Sequence, residues 1–180
     1  MRGKVRRPEL CRPPPGQRLV STPKVHAAGY PHAMDIFRRM DGLDALEMMK
    51  RGEAPQTNLS RWMNFTLEHV ERGKVTFGMM PRDELYNLIG SVHGGIIATL
   101  MDTALGTAVQ SLLPAGQVAT TMDLHTRFHR PVTTEVGQVF AEAHVVHAGR
   151  RTATSEAKLV DSKGTVYATG TSTLMILTDT

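Results

Sequence analysis

Two neighbouring features carry residue types that could do chemistry: the stretch Asn87-Leu-Ile-Gly-Ser-Val-His-Gly-Gly95 and, downstream of it, the carboxylate of Asp102. Gly94 and Gly95 allow backbone N–H groups to approach a ligand closely, and a helix starting there would favour negative charge at that point. The pairing of such a helix start with a carboxylate further along the same helix is the first functional clue in the chain.

Asp102 needs a reason to be where it is. Ile96, Ile97, Leu100, Met101, Ala104, Leu105, Ala108, Val109 and Leu112 recur at helical spacing, so residues 96–113 read as a helix that is apolar almost all round and therefore buried. An unpaired carboxylate in such a helix would cost several kcal/mol. Structural readings compete at each position: Asp102 satisfied by a basic partner, His93 as a helix cap, Asn87 as a turn residue. Asp102 lies nine positions after His93, with enough helix between to separate them by roughly 10 Å or more, which is long for two groups acting on one carbonyl.

The remaining chain must position these groups. Residues 1–30 combine a basic composition with six prolines from Pro8 to Pro31 at their border, and are expected to form a mobile tail. Met34, Phe37, Met40, Leu43, Leu46 and Met49 are spaced by three, which predicts an amphipathic helical extension over 31–57, broken near Gly42 and ended by Gly52 and Pro55. Its simplest role is packing on the main domain; covering a substrate is the other. Residues 61–70 and 74–80 flank Glu71-Arg72-Gly73 as a hairpin, and the central helix stops at Pro114-Ala-Gly116. Residues 118–130, 138–147, 151–161 and 165–177 then read as four strands of an antiparallel meander. A hairpin, one long helix and four more strands make an α+β domain over 58–180, with an antiparallel sheet wrapped around the helix.

Composition narrows the partners. At 180 residues and 41% hydrophobic, the chain suits one core, and no apolar run is long enough to span a membrane. Cys11 is the only cysteine, so no internal disulfide framework is expected, and a cytoplasmic location fits. The net charge is +4, but residues 1–24 hold seven basic residues against Glu9, a surplus of +6 that leaves −2 for the remainder. A nucleic-acid partner for the body loses support accordingly. His125 and His129, four apart on one strand, would lie about 13 Å apart, and His144 and His147 differ in strand parity, so no metal is expected.

The series Asn87-x-x-Gly90-x-x-His93-Gly94-Gly95, Thr99-Leu-x-Asp102, Thr121-x-Asp-Leu, Phe128-x-Arg-Pro131, Gly149-Arg-Arg and Asp161-x-x-Gly164 resembles the hotdog-fold acyl-CoA thioesterases of the phenylacetate-pathway (PaaI-like) branch, over roughly residues 58–177. The resemblance implies hydrolysis of an acyl-CoA thioester, without a cofactor, at a site shared by two subunits. Asp102 matches the family's general base or nucleophile, and Gly94 and Gly95 match its oxyanion loop. Asn87 and His93 match groups that position the carbonyl or the water, and Thr121 falls where a hydroxyl orients that water. The resemblance also implies a homo-oligomer, a dimer at minimum and commonly a tetramer. A two-fold dimer would bring one subunit's loop to the other's aspartate and so resolve the long separation. Arg150 and Arg151 could contact CoA phosphates, although arginine at a turn is ordinarily a solvated charge. The alternatives are a non-catalytic acyl-CoA-binding hotdog domain, a hotdog dehydratase, and nucleic-acid binding through the tail.

Overall fold

A computed structural model describes residues 33–54 and 56–178; the tail expected over 1–30 lies outside the described residues. The described residues open with α1 (Ala33–Arg39) and α2 (Gly42–Lys50), so the three-residue spacing is shared by two short helices that break ahead of Gly42. Next come α3 (Asn58–Met63), β1 (Phe65–Glu71) and β2 (Lys74–Met79). The expected start of the hairpin at Arg61 is corrected. Thr57 accepts the Ser60 N–H and caps α3, and Asn64 in the left-handed conformation (φ 56°) ends that helix before the first strand begins. Then follow α4 (Gly94–Gln110), β3 (Gln117–Phe128), β4 (Val139–Ala148), β5 (Thr152–Asp161) and β6 (Val166–Thr178).

The six strands form one antiparallel sheet in the order β1-β2-β4-β5-β6-β3. The expected four-strand meander holds only for β4, β5 and β6. β3 lies at the far edge beside β6, because α4 carries the chain from β2 across the sheet before β3 begins.

One face of the sheet receives α4. Phe77, Ala141, Leu159 and Ala168 lie in register on that face and are buried or nearly so. Against them α4 packs Ile97, Leu100, Met101, Ala104, Leu105 and Ala108, all at most 3% exposed. Full burial of each leucine, isoleucine or methionine contributes roughly 1.5–3 kcal/mol, so this contact supplies much of the fold's stability. Gly170 is the point of closest approach, since a Cβ there would sit 3.1 Å from Met101 Cε and 3.2 Å from the His125 carbonyl oxygen.

Five hydrogen bonds fix the C-terminal end of α4. The Gln110 side-chain amide donates to the Gln117 carbonyl and accepts from the Ala119 N–H, both at 3.0 Å, clamping the start of β3 onto the helix. Ser111, 1% exposed, accepts from the Gly73 N–H at 2.8 Å and holds the β1–β2 turn. Gly42 N–H donates to the Leu113 carbonyl at 2.8 Å, while Asp41 accepts from the Ala115 N–H at 3.0 Å. The N-terminal helices thus dock at the end of α4 remote from Gly94, about 24 Å along the helix axis.

Gly42 has no room for a side chain: a Cβ would lie 1.8 Å from the Gln110 carbonyl oxygen. Gly42→Ala is expected to destabilise the domain by about 2–3 kcal/mol through overpacking against backbone, read as a lowered midpoint in urea unfolding with unchanged slope.

Candidate active site

Helix α4 is less apolar than its sequence suggests. Gly95, Thr99, Asp102, Thr103 and Gly106 fall on one stripe that stays exposed or half-exposed, because the sheet covers only the opposite side. Asp102 therefore keeps contact with solvent, and the expectation of a fully buried helix is corrected for this stripe. Its partner is not basic. Thr121 Oγ1 donates to Asp102 Oδ1 at 2.9 Å, and among the described residues Oδ2 makes no hydrogen bond.

Thr121 reaches Asp102 because of where β3 irregularity falls. Thr121 pairs with Leu174 on the helix-facing side, and the register shifts between Thr121 and Asp123, which makes Met122 the extra residue of a bulge. Asp123 fixes that bulge by accepting from the Thr173 N–H at 3.0 Å, and hydrogen bonding from the side chain and backbone of Thr173 holds its carboxyl below the usual carboxylate range. The Gln110 clamp lies two residues upstream, at Ala119.

At the other end of α4, His93 occupies the N-cap and its Nδ1 accepts from the Gly95 N–H at 2.9 Å. A neutral imidazole so engaged carries its proton on Nε2 and can still donate from there. Of the two glycine N–H groups, Gly95's is thus taken, while Gly94's finds no acceptor among the described residues and remains an unfilled helix-end donor. The same loop is built by Asn87. Its Oδ1 accepts from Ile89 N–H at 3.0 Å and Ser91 N–H at 3.3 Å, its Nδ2 donates to Ser91 Oγ at 3.2 Å, and Gly90 takes φ 83° at the turn. The side-chain polar groups of Asn87 are spent on the turn, which holds the stretch that leads into His93.

Arg150 and Arg151 lie in the exposed β4–β5 turn. The Arg151 carbonyl accepts from Ile176 N–H at 2.8 Å, and Thr152 pairs with Met175, which pairs with Thr120. The arginine turn therefore stands two strands away from Thr121 at the same end of the sheet, on the order of 10 Å. His147 departs from expectation: a register shift between Val145 and His147 places it opposite Thr154, on the face of His144. Among the described residues no group of three or more His, Cys, Asp or Glu side chains could hold a metal ion.

Two contributors were not singled out in the sequence. Gln110 sits inside an apolar run, and only its burial beside the β3 start reveals the clamp. Phe128 was noted only as part of a motif. Its ring lies against Gly94, with Cζ 3.2 Å from where a Cβ would stand.

Residues 89–168 match the family model of the thioesterase superfamily. A protein of Halobacterium salinarum, named as a candidate esterase, is 39% identical over a 99-residue alignment that covers 50% of this chain and 63% of that protein's length. Among solved structures, a candidate thioesterase described as phenylacetic acid degradation-related, from Ralstonia eutropha, is 26% identical, covers 72% of this chain and 97% of its own, and superposes with a TM-score of 0.66. The E. coli PaaI protein from the phenylacetic acid degradation operon shares the fold, with 21% identity, 77% and 95% coverage and a TM-score of 0.67. A six-stranded antiparallel sheet around one long helix, with these neighbours, is a hotdog fold. Within that class, residues 89–168, which hold Asp102 and the Gly94 loop, are similar to the thioesterase superfamily. No helix of the described residues is long and apolar enough to cross a membrane.

The cap predicts a separable effect. His93→Ala is expected to lose about 1 kcal/mol of stability from the start of α4, seen as faster amide exchange at residues 95–97 while exchange near Gln110 is unchanged.

Proposed function

We propose that this protein hydrolyses an acyl-CoA thioester to the free acid and CoA, as a dimer whose sites are each shared by two copies. The observation that carries the reading is the Thr121–Asp102 hydrogen bond on the uncovered stripe of α4. A hydroxyl donated to one carboxylate oxygen fixes the group and leaves the other oxygen free to act.

In the simplest course, Asp102 takes a proton from water as the water attacks the thioester carbon. Negative charge builds on the carbonyl oxygen, where the Gly94 N–H at the helix start receives it; one such donor is typically worth about 3 kcal/mol in the transition state. The C–S bond then breaks and CoA leaves as thiolate, a leaving group that does not need a strong acid. Alternatively Asp102 attacks directly, giving an acyl-aspartyl anhydride that water hydrolyses. His93, with Nδ1 holding the loop, has Nε2 to offer the carbonyl or the water.

Within one copy, Gly94 and Asp102 stand about 12 Å apart along α4, so one copy does not serve one carbonyl with both. β3 is an edge strand with Thr120, Thr121 and Met122 exposed, beside the uncovered stripe of α4. Pairing of that edge with a second copy about a two-fold axis brings Asp102 of one copy towards the Gly94 loop of the other. Pairing of dimers into tetramers, and contact of Arg150 and Arg151 with CoA phosphates, extend the same reading.

Release of free thiol from a panel of acyl-CoAs tests it. Asp102→Ala is expected to lower kcat at least about a hundredfold, and Thr121→Val about tenfold with little change in KM, the scale of lost base catalysis and lost orientation. If no acyl-CoA is hydrolysed faster by the wild type than by Asp102→Ala, the proposal fails.

A mixing experiment addresses the shared site. Asp102→Ala and Gly94→Val are each expected to be inactive, and equal mixing after unfolding and refolding together should recover about a quarter of wild-type activity, from mixed dimers with one intact site. No recovery would place both groups in one copy.

A further inference from the structure

The Gly94 end of the site has an apolar rim, and on the reading of Gly94 and Asp102 given above it bears on which acyl group is accepted. Phe128 closes β3 and pairs with Ala168, so it faces α4 rather than the outer side of the sheet. Its ring edge meets Gly94, with Cζ, Cε2 and Cε1 at 3.2, 3.5 and 3.6 Å from a Cβ built there. Any side chain at position 94 would displace the ring. Yet Phe128 is 51% exposed, so much of this side chain stands in solvent beside the unengaged Gly94 N–H.

The loop itself presents more apolar surface. Leu88 and Ile89 are 107% and 88% exposed, held out on the turn that Asn87 builds. Val92 N–H donates to the Val132 carbonyl at 2.8 Å, which staples this loop to the chain just beyond Phe128. Of the nearby cations in sequence, Arg127 pairs with Thr169 on the opposite face of the sheet and Arg130 donates from its guanidinium to the Val166 carbonyl.

A carbonyl oxygen received by the Gly94 N–H brings both the sulfur and the acyl α-carbon close to the Phe128 ring. The sulfur leads into an amide-rich chain ending in phosphates, which gains little from an apolar ring. An apolar acyl group buries against it. We infer that Phe128 forms the wall that receives the acyl group and makes the site selective for apolar acyl chains long enough to cover the ring, against acetyl and against charged acyl groups.

The test compares acetyl-, hexanoyl-, decanoyl- and succinyl-CoA with wild type, Phe128→Ala and Phe128→Leu. Wild-type kcat/KM is expected to rise from acetyl to decanoyl and to be low for succinyl. Phe128→Ala should lose at least about tenfold more on decanoyl-CoA than on acetyl-CoA, as removal of a large apolar contact predicts, and Phe128→Leu should regain most of that preference. Equal losses on every acyl group would overturn the inference. So would a loss that changes when CoA is replaced by N-acetylcysteamine but not when the acyl chain is changed. Absence of any wild-type turnover would defeat the hydrolase reading instead; binding of non-hydrolysable ethyl- and decyl-CoA thioethers then decides the wall, which stands only if Phe128→Ala weakens the decyl ligand selectively.

Discussion

The fit of α4 into the trough of the sheet is the constraint from which the rest follows. At 3.6 residues per turn, a helix pressed into a curved sheet along Ile97, Leu100, Met101, Ala104, Leu105 and Ala108 must leave one stripe uncovered. Asp102 is on that stripe, so a carboxylate is held firmly by an apolar helix without bearing the full penalty of burial. Rigid placement and access to water come from the same packing.

What the sequence could and could not convey follows from the range of each interaction. The hairpin turn at Gly73, the break near Gly42 and the end of the helix before Pro114 are local and were readable. The position of β3 was not, because alternation along 117–128 says which residues share a face but nothing about which strand lies next to it. The bulges had the same effect on a smaller scale. One extra residue at Met122 or Val146 changes the face of everything beyond it, so the placement of His147 misled the parity argument. For the site, Asn87, His93 and Thr121 were recognisable as types at a spacing, whereas the bonds they make required the fold.

Those bonds make the structural and chemical readings of the loop compatible. Asn87 and His93 do what turn and cap residues do. Since His93 uses one ring nitrogen and Gly95 one N–H, their engagement decides which groups are left over: His93 Nε2, and the Gly94 N–H with an aromatic ring beside it. A site of this kind is defined as much by satisfied groups as by free ones.

The Gln110 amide has a further consequence. An edge strand offers unpaired N–H and C=O groups along its whole length, and any extended chain can add to it. By occupying the Gln117 carbonyl and the Ala119 N–H, the amide shuts the first rungs of that edge and leaves open only the part beyond them. A chain adding to β3 therefore has a fixed starting point: slippage towards the N-terminus of the strand would have to break the amide's own bonds. One buried glutamine thus acts as a stop that limits indiscriminate strand addition while keeping a short, defined length of edge available.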